Sequence, residues 1–351
     1  MLGKRFQGVK IGGVACAVPD NMLTADSFRE RFGDAAVKRF VSTTGIETRY
    51  ISTGEQTASD LCYAAANALM KKKGLTGNDI DAIILITQTP DYYRPSTAYV
   101  LHHRLHIKQD CIVYDINLGC SAFIAGVYTV AGLVESGTVE RALVLIGDAG
   151  TLSEATDDDI SFNMMFGDSG SAILVERGEG VIEGMLRSSG EDFRTIIIPA
   201  PGARFPGAGM HDAPQYEKKM SGDDVFLFTI TKVPKLFKEY YSFFGHSADD
   251  FDYYILHQAN MMIINQIAKK LKLANEKVPI SLNKYGNTDG ASIPVTLVDL
   301  CEKIGGNRKL NLITSGFGIG LSWGVLSFEI NSLDVLPMIF TNDYYAEGKI
   351  L

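Results

Sequence analysis

Residues 111–126 read CIVYDINLGCSAFIAG. The first six have the length and β-branched content of a buried strand. Beyond Asn117, Leu118 and Gly119, the residues Phe123, Ile124, Val127, Val130, Ala131 and Val134 recur at spacings of three and four. That periodicity predicts an amphipathic helix ending near Gly137. Cys120 therefore stands at a strand-to-helix turn, and its small neighbours Gly119, Ser121 and Ala122 let a substrate approach the sulfur closely. Backbone N–H groups and the positive end of a helix dipole stabilise a thiolate, so the position predicts a lowered thiol pKa.

The same alternation of strand and helix extends outward in both directions. VKIGGVACAV, AIILIT, RALVLIG and SAILVE read as strands in the first half, with helical stretches at 58–73, around Leu101 and at 121–136. In the second half VIEGMLRSSG, YYILHQ, VPISLN, KLNLITSG and VLSFEI are strand-like, and 225–244, 261–273 and 294–304 are helical. The pattern predicts an α/β layered fold with buried parallel or mixed sheets. An internal duplication is also legible. NDIDAIILIT (78–87) and DDFDYYILHQ (249–258) share an Asp–apolar–Asp lead-in to a hydrophobic run, aligning Leu85 with Leu256 and Ile86 with His257.

At 351 residues the chain is long enough for two domains or one large duplicated one. Its net charge of −8 gives no electrostatic support for binding nucleic acid. Cys16, Cys62, Cys111, Cys120 and Cys301 are odd in number and follow no zinc or disulfide spacing, which predicts reduced thiols in a cytoplasmic protein. The start lacks the features of a signal peptide, and no apolar run approaches the ~20 residues that span a bilayer, so no membrane association is expected.

Two further positions stand out. YYILHQAN runs a strand straight into His257, and crevices in α/β sheets form at the C-terminal ends of strands. NKYGNTDGASIP sets Asn287 in a turn ahead of a helix that Pro294 opens. His102, His103 and His106 in HHRLH have no carboxylate or further histidine at metal-binding spacing and read as a polar helix face. GFGIGLSWG leads into a strand-like run, not a helix, so it is not a dinucleotide-binding loop.

TTGIETRYI, DINLGCSAFIAG, FGDSGSAILVE, LHQAN, KYGNTDGASIP and GFGIGLSWG, in this order, resemble the β-ketoacyl-acyl carrier protein synthase III family of the thiolase superfamily. The resemblance covers about residues 8 to 330. It implies a duplicated, five-layered αβαβα fold: residues 1–176 as a half carrying the cysteine, 177–330 as a half carrying histidine and asparagine, and 331–351 as an extension. It implies that Cys120 is a nucleophile with His257 and Asn287 as catalytic partners, and that the backbone N–H groups of Cys120 and Ile319 form an oxyanion hole. The implied reaction loads an acyl group onto Cys120 and condenses it with a malonyl-carrier thioester, with no metal or redox cofactor. Asn260, Gly222, Arg94 and Phe317 are the implied substrate contacts, and the partners are an acyl carrier protein and a second copy of the chain in a homodimer.

The sequence departs from the family at several contacts. Arg39 and Thr43 occupy the places of a tryptophan and an arginine that hold adenine, and Ile160 that of a further arginine. These losses point away from acetyl-CoA as first donor, towards an acyl group on a carrier or acyl-CoA in another pose. Met262 replaces a carrier-contacting arginine, whereas Lys269 and Lys270 match a basic pair. Lys232, Lys235 and Lys238, spaced by three, add a patch for an acidic carrier. Arg94 replaces a phenylalanine that reaches the partner's pocket, where it would favour a polar or acidic acyl group if it does not face solvent. The tail 331–351 has an apolar middle suited to packing on the body or on a partner. Three other readings compete: acyl transfer from Cys120 to an alcohol, amine or other carrier; a non-catalytic acyl-binding subunit; and a condensation without decarboxylation, which needs a base placed over the cysteine.

Overall fold

The computed structural model describes residues 3–150, 159–209 and 212–349. Nine strands build the main sheet: β1 (Gly3–Pro19), β2 (Ala82–Ile86), β3 (Ile112–Ile116), β4 (Arg141–Asp148), β5 (Ser169–Ser188), β6 (Tyr253–Leu256), β7 (Lys309–Gly318), β8 (Ser322–Asn331) and β9 (Ile339–Thr341). Among the helices that pack on it or border the site are α1 (Ala58–Lys73), α2 (Thr97–Arg104), α3 (Ala122–Glu135), α4 (Ile160–Met165), α5 (Gly222–Phe244), α6 (Met261–Leu271) and α7 (Ser292–Ile304).

The strand order is β6-β7-β8-β5-β4-β2-β3, with β1 along β5 and β9 on β1. The long strand β5 joins the halves. Its first part pairs with β4, its last part with β8, and β1 runs antiparallel beside both parts. SAILVE and VIEGMLRSSG are thus one strand, and the expected boundary at residue 176 falls inside it.

Successive residues of the strands point to opposite faces, and both faces are covered. Ala82, Ile84 and Ile86 of β2 join α3 and α7 in a central core, while Ile83 and Leu85 join α1 and α2 outside. In the other half Ile255 and Leu312 face the central core, and Tyr254, Leu256 and Ile313 face α5 and α6. The result is five layers: α1/α2, sheet, α3/α7, sheet, α5/α6. Burying each Val, Leu, Ile or Phe contributes about 1.5–3 kcal/mol. The predicted stripe of α3 is fully placed there, with Phe123, Ile124, Val127, Val130, Ala131 and Val134 all buried.

The duplication is a structural fact. β2 pairs parallel with β4, which pairs antiparallel with β5; β6 pairs parallel with β7, which pairs antiparallel with β8. The Asp–apolar–Asp lead-ins do the same work twice. Asp79 and Asp250 close capping boxes with Thr76 and Ser247. Asp81 then accepts from the Arg141 N–H at 3.1 Å and Asp252 from the Asn311 N–H at 2.7 Å, fastening the start of the neighbouring strand.

Three expectations need correction. CIVYDI has the composition of a buried strand, but among the described residues β3 is the outer strand of its half, paired only with β2, and each of its residues is half-buried. A short apolar run does not distinguish an edge from a centre. VPISLN is not a strand; the N–H groups of Ser281 and Leu282 are taken by the Gln258 side chain (3.1 and 3.4 Å), and the short helix Leu282–Tyr285 follows. His106 lies beyond α2 with φ +52°, so it does not share a helical face with His102. The described part of the tail packs on the body: β9 pairs with Ala17–Pro19, Gln56 donates to the Thr341 and Asp343 carbonyls, and the Tyr345 N–H donates to Asp60.

Candidate active site

A cavity of about 580 Å³ opens where the central helices α3 and α7 begin. Cys120, His257 and Asn287 all line it, as do Ile319, Phe317, Asn260 and Gly222. Each is held by local structure. Cys120 ends the loop after β3, two residues before α3 begins. His257 follows β6 directly, its N–H bonded to the Ser315 carbonyl (2.8 Å) and its Nδ1 to the hydroxyl of Ser292 (2.7 Å), the first residue of α7. Phe317 meets the imidazole edge-on, with ring centroids 5.5 Å apart.

Asn287 is clamped on both sides of its backbone. Its N–H donates to the Met165 carbonyl (2.9 Å) and its carbonyl accepts from the Gly167 N–H (3.1 Å). Its side-chain oxygen accepts from the Asp289 N–H at 3.0 Å, so the amide N–H groups are what it can offer a ligand. GFGIGLSWG is the β7–β8 hairpin, and from its tip the Ile319 N–H donates to the Cys120 sulfur.

The electrostatics depart from the sequence expectation. Burial, and then the Asp289 carboxylate, push the Cys120 thiol well above its usual pKa; the Ile319 N–H opposes this without cancelling it. The helix dipole reaches only its first turn and does not outweigh a carboxylate in contact. Burial also pushes His257 down to about 3, against a smaller opposing hydrogen bond with the Asp289 backbone. Cysteine and histidine both stay neutral near pH 7.

The remaining positions fall in different places. Asn260 lines the cavity, but its oxygen caps α6 by accepting from the Ile263 N–H (2.9 Å). Gly222 opens α5 with free space around it. Thr43 and Met262 also line the cavity, whereas Arg39 is exposed. Arg94 is exposed outside the cavity, its guanidinium near the ring of Tyr93. Lys232, Lys235 and Lys238 are exposed on α5, and Lys269 and Lys270 are exposed at the end of the adjacent α6. Lys270 donates to the Ile230 carbonyl of α5 at 2.9 Å, joining the two groups of lysines. Among the described residues no three His, Cys, Asp or Glu side chains stand close enough to hold a metal ion, and no helix is long and apolar enough to cross a membrane.

Of the charged groups that line the cavity, none singled out by the sequence reading, Lys218 and Asp289 lie nearest the chemistry-bearing side chains. Lys218 stands 4.2 Å from the ring centroid of Phe166 and 5.1 Å from that of Phe162. Asp289 accepts a hydrogen bond from the Cys120 thiol at 3.3 Å. An aspartate in a Gly- and Asn-rich turn carries no distinguishing signal in one sequence.

Layers, duplication and a cysteine at the start of a central helix define a thiolase-like enzyme. The comparisons narrow this. Residues 114–190 match the family model 3-oxoacyl-(acyl-carrier-protein) synthase III, and residues 244–330 match its C-terminal counterpart. The β-ketoacyl-acyl-carrier-protein synthase III of Streptococcus gordonii is 34% identical over 92% of this chain and 99% of its own length. That of Neisseria meningitidis is 31% identical over 92% and 100%. The crystal structure of the 3-oxoacyl-acyl-carrier-protein synthase from Burkholderia xenovorans superposes with a TM-score of 0.89 at 31% identity, covering 97% of this chain and 99% of that one. The chain belongs to the β-ketoacyl-acyl carrier protein synthase III family.

Because burial holds His257 far below the ordinary histidine range, its imidazole is expected to remain neutral from pH 5 to pH 8. In a histidine NMR titration, its signals, assigned with a His257→Ala variant, should not shift across that window. A midpoint near 6.5 would contradict this.

Proposed function

We propose that the protein loads an acyl group from a thioester onto Cys120 and condenses it with a malonyl-carrier thioester, releasing CO2 and a β-ketoacyl-carrier thioester. The observation that carries this reading is the meeting of Cys120, His257 and Asn287 in one cavity, with the Ile319 N–H on the sulfur. In the first half-reaction the sulfur attacks the thioester carbonyl, the donor's C–S bond breaks, and the donor leaves as a thiol. In the second, the malonyl carboxylate departs as CO2 and its bonding electrons form an enolate. His257 and Asn287 donate hydrogen bonds to the enolate oxygen. A neutral imidazole suits this role, since it stabilises the charge without handing over a proton. The enolate carbon then attacks the acyl-cysteine, the tetrahedral oxygen lies between the Cys120 and Ile319 N–H groups, and collapse expels the sulfur as a thiolate, which takes up a proton from water to restore the thiol.

The exposed lysines of α5 and α6, Lys232, Lys235, Lys269 and Lys270, form the docking face for an acidic carrier protein in this reading. The five free thiols accord with a reducing cytoplasm. The halves 1–176 and 177–330 are repeats of one folding unit, a reading supported by their matching strand pairings, and β5 joins them without a linker. The working form is a homodimer through the outer strand β3, whose half-buried residues and unpaired edge suit pairing with a second copy. Arg94 belongs to the same side, in the exposed segment between β2 and α2.

Two measurements test these proposals. Substituting His257 or Asn287 by Ala should slow CO2 release from malonyl-carrier protein by about 10²-fold or more, while acylation of Cys120 changes only a few-fold. Loss of acylation together with decarboxylation would contradict the assignment. Sedimentation equilibrium should give twice the 38.3 kDa chain mass, and Ile116→Lys in β3 should reduce it to one chain mass. A wild-type monomer would contradict the dimer.

A further inference from the structure

The thiol of Cys120 is in contact with a carboxylate. Its Sγ donates to Asp289 Oδ1 at 3.3 Å. Asp289 reaches the sulfur from an unusual backbone conformation, φ +45°, which side chains other than glycine seldom adopt. Three contacts hold it there. Its N–H is taken by the Asn287 side chain at 3.0 Å, its backbone engages His257, and it is followed by Gly290, packed against Ala122. Gly119, the residue before the cysteine, leaves the carboxylate room, since a Cβ there would lie 3.0 Å from the same Oδ1. Such conformations persist only where the surrounding structure holds them, and they cluster at active sites.

A buried neutral thiol is a poor nucleophile, so something must accept its proton as the Sγ–C bond forms. His257 is badly suited: its Nδ1 is bound to Ser292, and burial weakens it as a base. The S–H bond points at the carboxylate. We propose that Asp289 is the proton acceptor in the loading of Cys120. The S–H bond breaks as Oδ1 takes the proton, Sγ bonds to the acyl carbon, and the donor's C–S bond breaks. Asp289 then returns the proton to the departing thiolate, which leaves as a thiol. Nothing is oxidised or reduced, and no co-reactant is needed. The proposal rests on the thioester-loading reading above.

The test compares wild type with Asp289→Asn, which keeps the size of the side chain and removes the base. Two rates at Cys120 are read: acylation by saturating acyl thioester, followed by rapid quench and intact mass, and alkylation by iodoacetamide. Acylation should fall about 10²- to 10⁴-fold, the usual worth of a placed general base. Alkylation at pH 7 should rise, because removing the negative charge makes the thiol easier to ionise. Enzyme loaded by long incubation should still be discharged by malonyl-carrier protein within a few-fold of the wild-type rate. Asp289→Ser should show the same split, and serves if the asparagine variant does not fold.

If both rates rise, the carboxylate only suppresses the thiolate; if both fall, it only positions the sulfur; if neither changes, it has no part in loading. Each result overturns the proposal. Failure of the wild-type protein to take an acyl group from any of a panel of thioesters would instead sink the loading reading itself.

Discussion

The site depends on how closely two helix starts approach each other. α3 and α7 are the counterparts of one another in the duplicated halves, and they meet at their N-terminal ends in the middle layer. Glycine sets the spacing. A Cβ on Gly290 would lie 2.9 Å from Ala122 and from Ile146, and one on Gly316 would lie 2.9 Å from the Cys120 carbonyl. Added to Gly318, it would lie 2.7 Å from the sulfur. Such contacts cannot be absorbed without moving backbone, so any larger residue would separate the loop ends. Cys120, Asn287 and Asp289 come from those loop ends, and His257 is fastened to the first residue of α7.

The same burial sets the chemistry. A crowded, largely enclosed site disfavours charge, and it acts in opposite directions on a thiol and an imidazole: the first is pushed up, the second down. Both groups rest neutral. A neutral imidazole is a hydrogen-bond donor for a developing enolate, whereas a neutral thiol needs help to react. The arrangement therefore separates two tasks that a thiolate–imidazolium pair would combine. In the proposed reaction, stabilising the second half falls to His257 and Asn287, and starting the first falls to the carboxylate touching the sulfur.

Much of this was legible in the residues. The stripe from Phe123 to Val134 placed α3, and the strand running into His257 placed a side chain at a crevice. The two Asp–apolar–Asp lead-ins exposed the duplication because the same hydrogen bonds are needed wherever a parallel neighbour begins. What escaped depended on contacts distant in sequence. The edge position of β3 follows from strand order, which its own residues do not encode. The raised thiol pKa and the place of Asp289 follow from one positive φ and from glycines on three separate segments. A turn sequence specifies flexibility, and only the packed fold decides where its carboxylate points.

The central claim is that Cys120 carries an acyl group which a malonyl-carrier thioester removes. Intact-protein mass spectrometry tests it directly: the protein is mixed with acyl-CoAs and acyl-carrier proteins, and malonyl-carrier protein is then added. The account predicts a mass gain equal to the acyl group, absent in a Cys120→Ala variant, and discharged by malonyl-carrier protein with release of CO2. A gain that malonyl-carrier protein leaves in place, but an alcohol or amine removes, would contradict it.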